Sequence, residues 1–574
     1  MRIIQLGVFI SLLIAIGLNT TVEGAGPSRL YNLAIEYYDS RVHWQFIRDF
    51  VFVKFLWYQF TRSWDLIMGY GVIGAVKFLY DRVVHLAVTQ FMALPSIKTK
   101  VDNEVLAITT KLESDMIPSS DELTYYHELP RQGWTSEAVL EQLHSLETLK
   151  HSNWEKGRVS GAVYHGGEDL LELQAKAYNL FGVANQLHPD VFPGVRKMES
   201  EIVSMVLKLY NAPTGACGTS TSGGTESLLL ACLSAKKHAF ETRGVTDPEI
   251  VAPITVHAGF DKAAYYFGIK LHHAPIDPIT YQVDILHVKR LINANTVLLV
   301  GSAPNFPHGI IDDIPALGAL AQRHNIPLHV DACLGSFIMP FLEPAGLTSA
   351  LFDFRVPGVT SVSCDTHKYG FAPKGSSVIM YRNQLLRASQ YFVCTKWSGG
   401  IYGSPTLAGS RPGALMAGCW ATMMTIGYEG YLASCLEIVG AAQRLKAAIR
   451  DEIGPHLQVL GDPIGAVIAF KSDTVNIYDL ADSMKKLGWH LSALQKPAAI
   501  HVAVTKLTVP VIDDLIRDLK DSVNGLVGQD GRGSAPAKEG TAALYGVAGS
   551  VKTAGVADRL AVAFLDNLYK LPKN

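Results

Sequence analysis

The stretch IPLHVDA at residues 326–332 is a short apolar run that ends beside an acidic residue, and similar runs recur through the middle of the chain. Apolar runs of this length are typical of strands buried on both faces, and stretches with helical spacing separate them. Their order predicts a mostly parallel sheet with crossover helices, a doubly wound α/β domain of about residues 155–425. The other four runs are IVAPITVH (250–257), TVLLVGSAP (296–304), GVTSVSCD (358–365) and SSVIMYR (376–382).

The flanking sequence predicts helices and a second, smaller domain. Apolar spacing near 3.6 predicts helices over 135–148 and 197–210, and a helix over 431–452 leads to the strand-like runs VIAFKS and HVAVT. A Gly- and Ser-containing stretch at 528–540 is typical of a linker. The predicted segments are 1–24 (signal-like or anchor), 25–100 (membrane-associated), 101–154 (helical), 155–425 (large domain), 426–527 (small α/β domain) and 528–574 (linker and tail).

Composition excludes several classes of protein. The 574 residues are 48% hydrophobic and 18% charged, which is typical of a globular chain and not of a disordered one. The net charge of −2 provides no basic field for nucleic acid, so we expect no nucleic-acid partner. The seven cysteines include no C-x-x-C pair, so the sequence predicts neither a disulfide framework nor a metal site.

The N-terminus carries features of membrane targeting. Arg2 precedes the uncharged run Ile3 to Leu18, as in a secretory signal. Two further apolar stretches, 44–60 and 66–80, contain charged residues, so neither is a clean span. Residues 1–100 hold ten basic and six acidic residues, and the positive-inside rule then predicts that the following chain is cytosolic. The alternative is an amphipathic helix that lies on a membrane or packs on the protein body.

The chemistry begins at SCDTHKYGFAPKGSS, residues 363–377. It places Lys368, preceded by His367, just after a predicted buried strand. Burial is expected to lower the pKa of Lys368 and to make its amine available for a Schiff base. A lone lysine in a surface loop would have no such role, but Asp331 ends another predicted strand at the same sheet edge, where open α/β sheets bind ligands.

A phosphate site is predicted earlier in the chain. CGTSTSGGTESLLL, residues 217–230, is a glycine-rich turn that leads into an apolar helix, whose first N–H groups attract anions. It matches neither a nucleotide P-loop nor G-x-G-x-x-G. With Lys368, Asp331 and the flat side chain of His257, the turn predicts a site for pyridoxal 5′-phosphate.

Several motifs resemble a known family. SGGTES, VHAGFDKA, HVDACLG and DTHKYG are similar to those of the pyridoxal phosphate-dependent group II decarboxylases, which have the aspartate aminotransferase fold. RVSGAVY (158–164), LHPDVFPGVRKMESE (187–201), SAPNFPHG (302–309) and GGIYGSPTLAGSRPG (399–413) resemble the sphingosine-1-phosphate lyases within that superfamily. The similarity runs from about residue 120 to the C-terminus.

The resemblance implies roles for individual residues. Lys368 would carry the covalent link to the cofactor, Asp331 would pair with the pyridine nitrogen, and His257 would stack on the ring. Ser404 would reach in from the second subunit of a homodimer. The cofactor-binding residues implied in this way are Asn185, Gly223, Gly224, Thr225, His257, Asp331, His367, Lys368 and Ser404.

A second set of residues is associated with the substrate phosphate, namely Tyr164, His188 and Lys374, and Tyr164 is also a candidate catalytic group. Without the resemblance, His188 and Lys374 could be ordinary loop residues and Tyr164 a core aromatic. One departure is Gln186, where relatives commonly have proline. We expect the turn that aims His188 to be less rigid as a result.

The resemblance implies cleavage of sphingoid base phosphates to a long-chain aldehyde and phosphoethanolamine, on the cytosolic side of the endoplasmic reticulum membrane, by a single-pass protein. The group that removes the proton stays open between Tyr164, Lys368 and a cofactor phosphate oxygen. Two alternatives are an amino-acid decarboxylase and a catalytically silent membrane scaffold. The presence of Lys368 and Asp331 argues against the scaffold, and a second phosphate-binding set argues against the decarboxylase.

Overall fold

The computed structural model of the chain describes residues 40–92, 94–117, 123–149, 151–527 and 556–572. These residues form two units, one before Val76 and one from Val76 onward. Every predicted site residue lies in the second unit. The predicted signal-like run 3–18 and linker 528–540 lie outside the described residues.

In the part of the chain that the structure describes, five helices precede the first strand. Thr135 caps the third of them by accepting a hydrogen bond from the Ala138 N–H at 3.3 Å, which confirms the predicted helix over 135–148. Within the described ranges, no helix has both the length and the apolar character needed to cross a membrane. The helices are α1 (Ser40–Met92), α2 (Pro95–Met116), α3 (Ser136–Glu147), α4 (Glu168–Phe181) and α5 (Pro193–Leu209).

The large sheet alternates with helices along the chain, as the sequence predicts. All five predicted strands are present, each somewhat shorter than its apolar run. Its elements are β1 (Cys217–Thr221), α6 (Gly224–Arg243), β2 (Glu249–Pro253), α7 (Gly259–Phe267), β3 (Lys270–Ala274), α8 (Ile285–Leu291), β4 (Thr296–Ser302), α9 (Ile314–His324), β5 (Leu328–Asp331), α10 (Met339–Leu342), β6 (Val359–Cys364), β7 (Ser377–Tyr381) and α11 (Gln384–Ala388).

The strand order of this sheet is β1-β7-β6-β5-β4-β2-β3, and β7 alone runs antiparallel to its neighbours. Strands β4 and β5 are buried along their whole length because helices cover the sheet. The carboxyl ends of the parallel strands therefore meet at one edge. Thr221, Asp331 and Cys364 all lie at this edge, which is where ligands bind to open α/β sheets.

The C-terminal part forms a smaller antiparallel sheet of order β10-β11-β13-β12, which contains the two strand-like runs predicted there. The predicted boundary at 425/426 falls inside the long helix α12, beside Gly427, whose φ of 63° interrupts the helix. The remaining elements are β8 (Phe392–Cys394), β9 (Tyr402–Ser404), α12 (Gly413–Ala448), β10 (Gln458–Val459), β11 (Val467–Lys471), α13 (Ile477–Lys486), β12 (Ser492–Leu494), β13 (Ala499–Ala503), α14 (Ile512–Val527) and α15 (Val556–Asn567).

Candidate active site

The glycine-rich turn between β1 and α6 forms one wall of the site. Gly223 has a φ of 148°, a backbone conformation that residues other than glycine rarely adopt. A Cβ on Gly224 would lie 2.7 Å from an Asp365 carboxylate oxygen and 3.0 Å from Cys333 Sγ. The first N–H groups of α6 have no intrahelical acceptor, so this turn presents backbone donors in a space that only glycine permits.

A chain of hydroxyl groups holds the turn against the sheet. Thr221 Oγ1 lies 2.7 Å from Ser227 Oγ, and Ser227 Oγ lies 2.9 Å from Ser377 Oγ. Ser377 then donates to the Cys364 carbonyl at 3.0 Å. Because all four residues are buried, these bonds are protected from water and fix the turn relative to β6 and β7.

Lys368 forms a buried ion pair with Asp365 across 2.9 Å between Nζ and Oδ2. Burial is the largest single influence on the pKa of Lys368 and alone would lower it, but the charge and hydrogen bond of Asp365, together with Cys333 and Tyr164, outweigh burial and raise that pKa above its usual value. The predicted lowering is therefore wrong. Burial is also the largest influence on Asp365 and alone would raise its pKa, but the charges of Lys368 and His367 and the hydrogen bonds from Lys368 and Ser377 together lower it.

A cavity of about 340 Å³ opens between these groups. Asp365 Oδ1 is buried there without a hydrogen-bond partner among the described residues, and Asp331, at the end of β5, uses one oxygen to accept the Cys333 N–H at 3.0 Å. The cavity thus combines an anion-binding turn, a primary amine, a strand-end carboxylate and a flat imidazole. These groups together fit a phosphorylated aromatic aldehyde. The cavity is lined by Ser222, Gly223, Gly224, Thr225, Glu226, Leu228, His257, Asp331, Cys333, Asp365, His367 and Lys368.

Both histidines of the cavity are held in defined orientations. His367 lies with Nδ1 2.6 Å from the Ser376 carbonyl oxygen, which requires the proton on Nδ1. Burial lowers the pKa of His367, so the ring is neutral at neutral pH. His257 accepts the Gly259 N–H on its Nδ1 at 3.0 Å. These contacts fix both rings at the rim of the cavity.

Tyr164 and Lys374 meet beside Lys368. The Nζ of Lys374 lies 4.8 Å from the centre of the Tyr164 ring, a cation–π distance. Burial and the charge of Lys368 lower the pKa of Lys374. Burial also raises the pKa of Tyr164, so its phenol keeps its proton at neutral pH. The structure thus brings these two predicted substrate residues together.

Besides Tyr164 and Lys374, three further predicted residues do not line the cavity. Ser404 is buried and donates to the carbonyls of Thr406 and Ala408 at 2.9 and 2.6 Å. Asn185 accepts the N–H groups of Leu187 and Arg411, both at 3.0 Å. His188 follows this turn and is exposed to solvent. Within one chain, therefore, none of these three side chains reaches the cavity wall.

Gln186 is held firmly, against the expectation of a loose turn. Its N–H donates to the Arg411 carbonyl at 3.2 Å, a bond that proline could not make, and its side chain donates to Ser220 Oγ at 3.3 Å. Hydrogen bonds to neighbouring segments thus replace the stiffness of a proline ring.

Sequence reasoning missed two carboxylates of the site, Asp365 and Glu226. Asp365 precedes Lys368 by three residues within the motif SCDTHKYG, so the acidic residue of that motif was an available signal. Glu226 lies in the first turn of α6, where an acidic side chain is ordinarily a helix-stabilising group. Its contact with a remote segment has no signature in the local sequence.

The chain is similar to known proteins over most of its length. Residues 130–472 match the family model described as the pyridoxal-dependent decarboxylase conserved domain. The chain is 55% identical over 543 residues to a sphingosine-1-phosphate lyase of Saccharomyces cerevisiae, which covers 94% of this chain and 92% of that protein. A Drosophila melanogaster protein of the same name is 45% identical, with 83% and 87% covered.

Among solved structures, a sphingosine-1-phosphate lyase of Burkholderia pseudomallei superposes with a TM-score of 0.69. It is 42% identical to this chain, and the match covers 71% of this chain and 95% of that one. The large sheet and the site described above lie mostly within the range matched by the family model.

Proposed function

The chain belongs to the sphingosine-1-phosphate lyases of the pyridoxal-dependent decarboxylase family, and from this premise we propose how its residues carry out the family's reaction. It is a pyridoxal phosphate-dependent carbon–carbon lyase that cleaves sphingoid base phosphates in sphingolipid catabolism. The products are a long-chain aldehyde and phosphoethanolamine.

The glycine turn, Lys368 and Asp331 would hold the cofactor. The N–H groups of Gly223, Gly224 and Thr225 would bind its phosphate at the positive end of α6, and Lys368 would provide the amine for covalent attachment. Asp331 would keep a proton on the ring nitrogen from the end of β5. The bound cofactor withdraws electrons from the substrate carbon that bears the amine.

The contact between Lys374 and Tyr164 is the observation that carries the substrate assignment. A cation and a protonated phenol beside the cofactor cavity form a second anion site, separate from the glycine turn. We assign this pair, with His188, to the substrate phosphate. A sphingoid base phosphate has no carboxylate on the carbon that bears the amine. When its phosphate is held in this way, the bond that breaks is therefore Cα–Cβ, once the C3 hydroxyl loses its proton.

The protonation states bear on which group takes that proton. Tyr164 keeps its phenol proton at neutral pH because burial raises its pKa, so it is better suited to donate a hydrogen bond to phosphate than to act as a base. The ion pair with Asp365 raises the pKa of Lys368, so its amine must first lose its own proton before it can accept another. These states argue against Tyr164 as the base and leave Lys368 and a cofactor phosphate oxygen as the candidates.

The test of the function is incubation of the purified protein with pyridoxal phosphate and sphinganine 1-phosphate. We expect long-chain aldehyde and phosphoethanolamine in equal amounts and no carbon dioxide. Carbon dioxide released from an amino acid at a comparable rate, with no aldehyde, would favour a decarboxylase instead.

We further propose that the active form is a homodimer in which Ser404 completes the partner's site. Apolar side chains are exposed on and around the β8–β9 hairpin, which carries Ser404 at its end, and an exposed apolar patch is typical of a protein interface. The side chains with their exposed fractions are Val393 (64%), Trp397 (57%), Ile401 (82%) and Leu407 (50%).

Finally, we propose attachment to the endoplasmic reticulum membrane as a single-pass protein, with the catalytic part in the cytosol. Support comes from the uncharged run 3–18, from the excess of basic residues before residue 100, and from exposed aromatic side chains in α1 such as Phe52, Trp57 and Phe60. Fractionation and protease protection of the full chain in microsomes would test it. A catalytic part protected inside the microsomes would contradict the proposal.

A further inference from the structure

Glu226 is a buried carboxylate that contacts two segments far apart in the sequence. One oxygen accepts the Ser222 N–H at 2.6 Å, and the other accepts the Leu407 N–H at 3.0 Å. The residue is only 9% exposed and lines the cofactor cavity. Because each oxygen has its own backbone donor, the charge is stabilised by two hydrogen bonds and by the positive end of α6.

The Ser222 contact completes the cap of α6. Gly223 is the N-cap residue and has no side chain to bind the first N–H groups of the helix. Glu226 reaches back to the N–H of Ser222, one residue before the N-cap, in a variant of the capping box. It thereby fixes the turn without using the N–H groups of Gly224 and Thr225, two residues that line the cavity.

The Leu407 contact ties the same turn to the segment 404–411. Other buried polar groups hold this segment on strand β1, which leads into the turn. Gln390 donates to the Pro405 carbonyl at 2.6 Å and to Thr219 Oγ1 at 2.9 Å. Arg411 donates to Glu199 at 2.6 Å, and Glu199 also accepts from Ser220 Oγ at 2.5 Å.

We propose that Glu226 is a positioning residue for the cofactor phosphate, which it serves by locking Ser222 and segment 404–411 into one arrangement around the glycine turn. This inference rests on the proposed function in one respect, that the turn binds the cofactor phosphate. Both oxygens of Glu226 already accept backbone N–H groups, so we assign it an action on the phosphate through the turn. Its loss should therefore weaken cofactor binding much more than it lowers the turnover of the filled enzyme.

The test compares Glu226→Gln and Glu226→Ala in the full chain, stripped of cofactor and titrated with pyridoxal phosphate by absorbance. Glutamine keeps one oxygen as an acceptor but places its own NH2 group against the other backbone N–H, so we expect roughly tenfold weaker cofactor binding. Alanine loses both acceptors, so we expect cofactor binding to weaken by up to about 100-fold. At saturating cofactor, kcat should stay within about threefold of the parent and the KM for sphinganine 1-phosphate should not change.

Glu249→Gln is the matched control. Glu249 is also buried and accepts hydrogen bonds from Lys270, His272 and Asn293, but it lies at the start of β2, at the opposite edge of the sheet. Its replacement should lower the melting temperature without changing the cofactor Kd. An equal loss of affinity in both variants would reduce the role of Glu226 to general stability and overturn the proposal.

Amide hydrogen exchange gives a readout that does not depend on activity. In Glu226→Gln the Leu407 N–H should exchange faster, whereas the Arg411 N–H, which is held by Asn185, should stay protected. Unchanged or tighter cofactor binding in this variant would show that relief of charge repulsion outweighs positioning, and the inference would fail. If the parent binds cofactor but cleaves no sphingoid base phosphate, the substrate assignment fails and the comparison of Kd values still decides the role of Glu226.

Discussion

The Nζ of Lys374 lies 4.8 Å from the centre of the Tyr164 ring. Tyr164 in turn meets the ring of Tyr369 edge-on, with 4.8 Å between ring centres, and Tyr369 is anchored by a hydrogen bond to the Val504 carbonyl at 2.9 Å. The cation is thus placed by the Tyr164 ring and by a 3.5 Å hydrogen bond to the His367 carbonyl, and among the described residues it has no carboxylate within ion-pair distance. A cation whose own charge is not neutralised by a carboxylate is suited to bind a phosphate.

Lys374→Ala should reduce kcat/KM for sphinganine 1-phosphate by roughly 10- to 100-fold, because one charge-assisted hydrogen bond to the phosphate is lost. The absorbance of bound cofactor should remain, since Lys374 is not needed to hold the ring. Lys485→Ala, at an exposed position of α13, is the control. Full activity of Lys374→Ala on the phosphorylated substrate would rule out the assignment of Lys374 to the substrate phosphate.

His188→Ala should reduce kcat/KM by a similar factor without a change in the cofactor Kd. The side chain is exposed in the single chain, so its contribution depends on the firm turn made by Gln186. Gln186→Ala, which keeps the N–H bond to Arg411, should have a smaller effect than His188→Ala. Steady-state kinetics on the three proteins would decide, and equal kinetics in His188→Ala and parent would remove His188 from the site.

Lys368→Ala should abolish turnover and the visible absorbance of the bound cofactor, because it removes the amine that forms the covalent link. It also leaves the Asp365 carboxylate buried without its cation, and we expect the pKa of Asp365 to rise toward or above its usual value. The variant should remain folded by circular dichroism. Retention of the absorbance band would assign the Schiff base to another lysine.

A mixed dimer tests whether Ser404 acts in the partner's site. Lys368→Ala and Ser404→Asp should each be inactive alone, the second because a carboxylate would repel the cofactor phosphate. Combined in one dimer, they leave one site with both defects and one with neither, so activity should return to about half of the parent value per dimer. No recovery in a purified mixed dimer would mean that Ser404 serves its own chain.

Acidification should destabilise the fold below neutral pH. Burial lowers the pKa of His308, His329 and His501 to about 4. The unfolded chain therefore takes up more protons than the folded one between about pH 6.5 and pH 4, and stability is lost as the pH falls through that window.

Each of these histidines contributes on the order of 1–3 kcal/mol to the change. Asp312 acts in the opposite direction, since burial raises its pKa to about 7. Melting temperatures from pH 4.5 to 7.5 would measure the net slope, and His308→Gln should flatten it, with the exposed His144→Gln as the control for substitution itself. Stability that rises on acidification would contradict the prediction that the three buried histidines dominate the pH dependence.

The α/β architecture and the cofactor site follow from local sequence. Buried strands such as β4 and β5 must be continuous apolar runs, and an anion turn next to a helix must have glycines where a Cβ would collide, so both leave a local pattern. Strands β1 and β3 leave no such local pattern in the sequence. The first is a run of small polar residues, and the second lies at the edge of the sheet and is partly exposed.

Only the tertiary structure decided the pKa shifts within the site and the hydrogen bonds that hold its segments in place. The sign of the Lys368 pKa shift depends on the 2.9 Å contact with Asp365, which together with Cys333 and Tyr164 outweighs burial, and composition alone cannot give a distance. Glu226 meets Leu407 across 181 residues of sequence, and Gln186 replaces a rigid proline with a bond to Arg411. Electrostatic and hydrogen-bond energies fall steeply with separation, so they are determined by which remote segments the fold brings into contact.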